Sequence, residues 1–138
     1  MGQQQLLLII LGVIIVGIAI AVGLQLFQSG SIGANQDALI NDVMNVTAHA
    51  DQWRIRPESM GGGGGNFDTG DGYDVPARMA TTGNGWITVP TTTANTVTVR
   101  AESSIHTGGW VQVVYNADGT DDAARYDWTA DGTVFEIN

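Results

Sequence analysis

The chain has 138 residues, no cysteine and a formal net charge of −9, with 14 acidic residues against five arginines and no lysine. Without cysteine there is neither a disulfide framework nor thiolate chemistry. The charge excludes the basic patch needed to neutralise the phosphates of nucleic acid or an anionic membrane surface.

The first element is apolar. Residues 6–24 are all Leu, Ile, Val, Ala or Gly; as a helix such a run covers ~29 Å, close to the hydrocarbon thickness of a bilayer. A cleaved secretory signal needs a basic n-region, a shorter apolar core and a small-residue cleavage site, and the run has none of them. A single-span anchor is one reading, but the first charged residue is Asp37 and the first basic one Arg54, so nothing satisfies the positive-inside rule. That pattern fits either a basic leader already removed or a segment not finally held by the membrane. Gly12, Gly17 and Gly23 interrupt the run at spacings that do not form GxxxG. Each costs ~1 kcal/mol of helix propensity relative to Ala and predicts local softening.

The stretch SGSIG at 29–33 should bend or loosen the helix, and a second segment follows it. Leu39, Val43, Val46, Ala50 and Trp53 recur at helical spacing, while Asn41, Asp42, Asn45, His49 and Gln52 take the opposite face. Pro57 predicts a stop at or before Arg56. Gly61, Gly62, Gly63, Gly64 and Gly65 then mark the main boundary. They read as a flexible linker or as a loop laid tightly over a neighbouring subunit.

Beyond the glycines the period changes to two. Residues 86–93, 95–103, 110–116 and 125–138 are rich in Val, Ile, Thr, Trp and Tyr, separated by turn residues. GYDVPARM adds a short edge strand, Pro76 confining it to an edge. Val97, Val99, Trp110, Val111, Val113 and Tyr115 supply an apolar face that needs cover, and the stripe of residues 39–53 is the surface available.

These elements predict an α+β fold. A long N-terminal helix, apolar in its first half and amphipathic in its second, packs by its C-terminal half against an antiparallel sheet of about four strands. The divisions are 1–28, the apolar helix; 29–57, the amphipathic half; 58–75, the Gly-rich loop; and 76–138, the β head.

Catalytic patterns are missing. His49 and His106 have neither Cys partners nor HExxH spacing, GxSxG does not occur, and the glycine run lacks the lysine of a phosphate loop. No metal site is assigned and no cofactor is expected. The clusters Asp68, Asp71, Asp74 and Asp118, Asp121, Asp122 offer closely spaced oxygen ligands that suit calcium, the second being the candidate, although neither has EF-hand spacing and Asp-Gly is turn chemistry. Asn45-Val-Thr47 matches an N-glycosylation sequon but falls within the predicted helix.

An apolar, then amphipathic N-terminal helix with a small sheet on its second half resembles the plan of type IV pilins and pseudopilins. The residues that carry the resemblance are MGQQQLLLIILGVIIVGIAIAVGLQLF, which stand where that family has its mature N-terminus. The resemblance implies a precursor held in the inner membrane, trimmed by a prepilin peptidase, then extracted by assembly machinery into an extracellular homopolymer. Assembly would run through Met1, Gln5, Leu6, Leu11, Gly12, Ile15, Gly17, Gly23 and Phe27. The family usually has Glu at the fifth mature position, where this chain, numbered from Met1, has Gln5. A neutral amide still hydrogen-bonds a neighbour's terminal amine, without charge assistance. The expectation is therefore a filament subunit and not an enzyme. The alternatives are a pseudopilin or minor pilin of a secretion machine, and a membrane-anchored head that holds a ligand or calcium.

Overall fold

A computed structural model describes residues 2–119, 121–127 and 135–137, the last two stretches as backbone. Helix α1 runs Gly2–Ile55. The expected loosening at 29–33 does not interrupt it: glycine lowers helix propensity but, unlike proline, keeps the N–H that continues the ladder. The helix ends one residue before Arg56, as Pro57 requires.

The chain divides into two compact units, Met1–Ala34 and Asn35–Asn138. The first is the apolar part of α1, with every residue from 2 to 31 exposed.

The second unit holds the core. Strands β1 (Gly85–Thr92), β2 (Thr96–Ser103) and β3 (Trp110–Asn116) form an antiparallel sheet. The ladder continues through the backbone of β4 (Asp121–Asp127) and β5 (Phe135–Ile137), in the order β1-β2-β3-β4-β5. The expected count of about four is thus corrected. Three strands make the sheet whose side chains are described, and the single C-terminal strand expected over 125–138 resolves into the end of β4 and the separate β5. Residues 128–134 of that stretch lie outside the described residues.

Alternation decides what faces α1. Val97, Val99, Ala101, Val111 and Val113 are buried with Ile87 against Leu39, Val43, Val46 and Ala50 of the helix. Phe67, Tyr73 and Val75 from the preceding loop close the core. Trp110 does not join the apolar face expected for it: it precedes the buried Val111 and so points to the opposite side of the sheet.

The edge strand expected around Pro76 is also corrected. Pro76 stands at the N-cap of a short helix, α2 (Ala77–Ala80), with φ −55°. A residue without an N–H suits a position where that donor has no helical partner. Pro90 does lie in an edge strand, β1, where the register shifts between Thr88 and Thr91.

Candidate functional site

The largest exposed apolar surface lies on the first half of α1. Leu6, Leu11, Ile15 and Phe27 are 61%, 49%, 57% and 75% exposed, and Val13, Ile14, Val16, Ile18, Ile20, Val22 and Leu24 lie equally open around the same helix. A side chain added at Gly12, Gly17 or Gly23 would meet nothing within 4 Å. Gln5 lies exposed in the first turns, and Met1 lies outside the described residues. An all-round apolar helix needs cover from lipid or from other helices, and α1 is long and apolar enough to cross a membrane.

The predicted packing residues come together as expected in the core. Leu39, Val43, Val46 and Ala50 are buried, and Trp53 is half-buried with its ring 5.7 Å from that of Tyr73. The polar face is less free than the periodicity implies. Asp42 Oδ2 accepts from Thr82 Oγ1 and Asn84 Nδ2, both at 2.9 Å. His49 Nδ1 lies 2.9 Å from Tyr73 Oη. Burial, and secondarily the charge of Asp74, push the Tyr73 phenol up to about 12.

Sequence reasoning missed Asn35. It is buried one turn before Leu39 on the same stripe. Its Nδ2 donates to the Asn84 carbonyl at 3.0 Å, and its Oδ1 accepts from Ser103 Oγ at 2.6 Å. The spacing of four residues ahead of Leu39 was the available signal.

The five glycines are not a free linker. The N–H groups of Gly63, Gly64 and Gly65 donate to the carbonyls of Trp53, Arg56 and Arg54 at 2.9, 3.0 and 2.8 Å, so the loop satisfies carbonyls at the end of α1. A side chain at Gly62 would collide with the backbone of Arg56, and one at Gly63 with Asn66 and the Trp53 ring. This tight approach lies within the chain itself.

Among the described residues no three His, Cys, Asp or Glu side chains gather as a metal site. Asp118 lies in the exposed turn after β3, while the side chains of Asp121 and Asp122 lie outside the description. In the sequon, Thr47 is buried and its hydroxyl donates to the Val43 carbonyl at 2.9 Å.

A second feature missed in sequence occupies the sheet face opposite α1. Trp86 of β1, Arg100 and Glu102 of β2 and Trp110 of β3 line a cleft of about 340 Å3, together with Ser104, Thr107, Gly108 and Gly109 of the β2–β3 connection. The register sets Trp86 and Trp110 on either side of Glu102. Trp86 Nε1 donates to Glu102 Oε2 at 3.0 Å, and Arg100 Nε stands 3.4 Å from Glu102 Oε1. The Arg100 guanidinium lies over the Trp110 ring, 4.6 Å from its centroid. Arg100 Nε is itself buried without a hydrogen bond, and Trp86 is 48% exposed. The sequence signal was the even-numbered phase of β1–β3, opposite in parity to the buried valines.

No protein-family model, curated protein or solved structure matches the chain.

Proposed function

We propose that the chain is the structural subunit of an extracellular helical filament of the type IV pilin kind, polymerising through the apolar half of α1. The observation that carries this reading is the exposure of apolar side chains from 6 to 27 on a helix whose stripe at 39–50 is already covered by the sheet. Such a segment sits in the inner membrane before assembly and against identical segments of other subunits afterwards. Residues 1–36 contain no Asp, Glu, Lys or Arg side chain that would hold the segment at a membrane surface.

Lipid tails are as apolar as leucine, so transfer from bilayer to filament gains from packing between helices. Water supplies the retention: separation of subunits outside the membrane would expose apolar surface at ~25 cal/mol per Å2, and a few hundred Å2 per neighbour therefore contributes several kcal/mol. Gln5 would offer its amide to a neighbour's terminal amine. Processing by a prepilin peptidase and extraction by inner-membrane machinery belong to the same proposal, as does a homopolymer of identical subunits.

Cryo-electron microscopy and mass spectrometry of fibres sheared from the cell surface test the reading. This chain should be the dominant component, with residues 6–27 lining the fibre axis. A dominant fibre without it would overturn the reading in favour of a minor pilin or pseudopilin. Complete retention in the membrane fraction would overturn it in favour of an anchored binding head.

A further inference from the structure

We infer that the cleft between Trp86 and Trp110 is a binding site for a neutral carbohydrate of about disaccharide size. The site lies on the sheet face opposite the core and is independent of the filament reading.

Its chemistry selects the ligand class. The Arg100 guanidinium stacked on Trp110 occupies the place a ligand cation would take against an aromatic face. A ligand anion would have to compete with Glu102 for Arg100, on a chain of net charge −9. Among the described residues of the cleft the Arg100–Glu102 pair is neutral overall, which favours an uncharged ligand.

The polar capacity left over suits hydroxyl groups. A carboxylate offers about four acceptor sites and a guanidinium five donors. Glu102 receives one hydrogen bond from Trp86 and pairs with Arg100 Nε at 3.4 Å, while the Arg100 and Glu102 side chains keep 35% and 43% of their surface exposed. A donor and an acceptor side by side match vicinal hydroxyls, which both donate and accept. The exposed Trp86 ring beside them offers an apolar surface to the C–H face of a pyranose. Thr107 also lines the cleft, as does Ser104, whose hydroxyl donates to the Asn84 carbonyl at 2.9 Å and keeps its acceptor capacity. The cleft of about 340 Å3 lies at the small end of ligand pockets, roughly 300–1,000 Å3, which sets the size near two sugar rings.

The test uses the full chain in a zwitterionic detergent without a sugar headgroup. Maltose, cellobiose, lactose and N,N′-diacetylchitobiose are titrated, with intrinsic tryptophan fluorescence and saturation-transfer NMR as readouts. Adenosine, choline and sialic acid serve as aromatic, cationic and anionic comparisons. At least one disaccharide should saturate at millimolar concentration, and Trp86→Ala should weaken it by about tenfold or more. Glu102→Gln keeps the shape of the site and should also weaken binding, so the inference stays testable if Trp86→Ala fails to fold. Absence of saturation by all four disaccharides would overturn it. So would unchanged affinity in folded Trp86→Ala and Glu102→Gln, or saturation by a comparison ligand alone.

Discussion

Asn35 occupies a position on the helix stripe where an aliphatic residue would satisfy the periodicity equally well. Its amide instead ties α1 to the Asn84 carbonyl and the Ser103 hydroxyl. Asn35→Ala leaves the buried Ser103 hydroxyl without its acceptor, while the Asn84 carbonyl keeps its bonds from Ser104, a cost of about 1–3 kcal/mol. Thermal unfolding followed by near-UV circular dichroism should show that loss. Tyr73 makes a second prediction at this scale. Its ordinary value is 10.0 and its folded value about 12, so the folded chain holds the phenolic proton more tightly than the unfolded one. The contribution to stability is complete below pH 10 and is lost as pH rises through about 12. Unfolding midpoints should fall across that window, and Tyr73→Phe should flatten the fall. An unchanged slope in the variant would assign it to other groups. The spacing placed Asn35 on the stripe, but the partners were not legible in sequence, because an asparagine or tyrosine code gives no indication of which carbonyl or imidazole will lie beside it.

At the scale of elements, α1 serves two environments. Its stripe from Leu39 to Ala50 is covered by the sheet, while residues 6–27 are open on all sides. Leu11→Arg adds a charge that costs about 2.5–3.5 kcal/mol at the centre of an apolar span. Under the proposed function this substitution should abolish fibre yield while the near-UV signature of the head stays unchanged. Normal fibre yield would remove Leu11 from the assembly surface. The glycine loop is the other informative element. Gly63→Ala drives a methyl group into the Asn66 backbone and the Trp53 ring, and an overpacked site of this kind loses about 1–3 kcal/mol. Chemical denaturation should register the loss; tolerance of the alanine would mean that the loop shifts freely. The run of glycines announced a special backbone in the sequence. That it caps its own helix could not be read there, since the acceptors are the carbonyls of residues 53, 54 and 56.

For the whole molecule, the division at residue 34 leaves the entire buried core in the second unit. A chain beginning at Asn35 should therefore be soluble and monomeric without detergent and keep the near-UV spectrum of the full chain. The full chain should need detergent or assembly. Aggregation of the shorter chain in sedimentation experiments would show that its fold depends on the first unit. Local pattern determined much of this. The long helix, its end before Pro57, the apolar first half, the packing stripe and the first three strands follow from periods of 3.6 and 2, which each residue imposes through its own backbone geometry. What only the tertiary structure decided are relations between residues distant in sequence. These are the side of the sheet on which Trp110 stands, the polar ties from Asn35 and Asp42 to the loop at 82–84, and the gathering of Trp86, Arg100, Glu102 and Trp110 into one cleft. Strand alternation restricts each side chain to one of two faces, but the face that meets α1 is chosen by burial of the whole apolar set at once. Strand register then fixes which side chains become neighbours, and that pairing is a property of the assembled sheet.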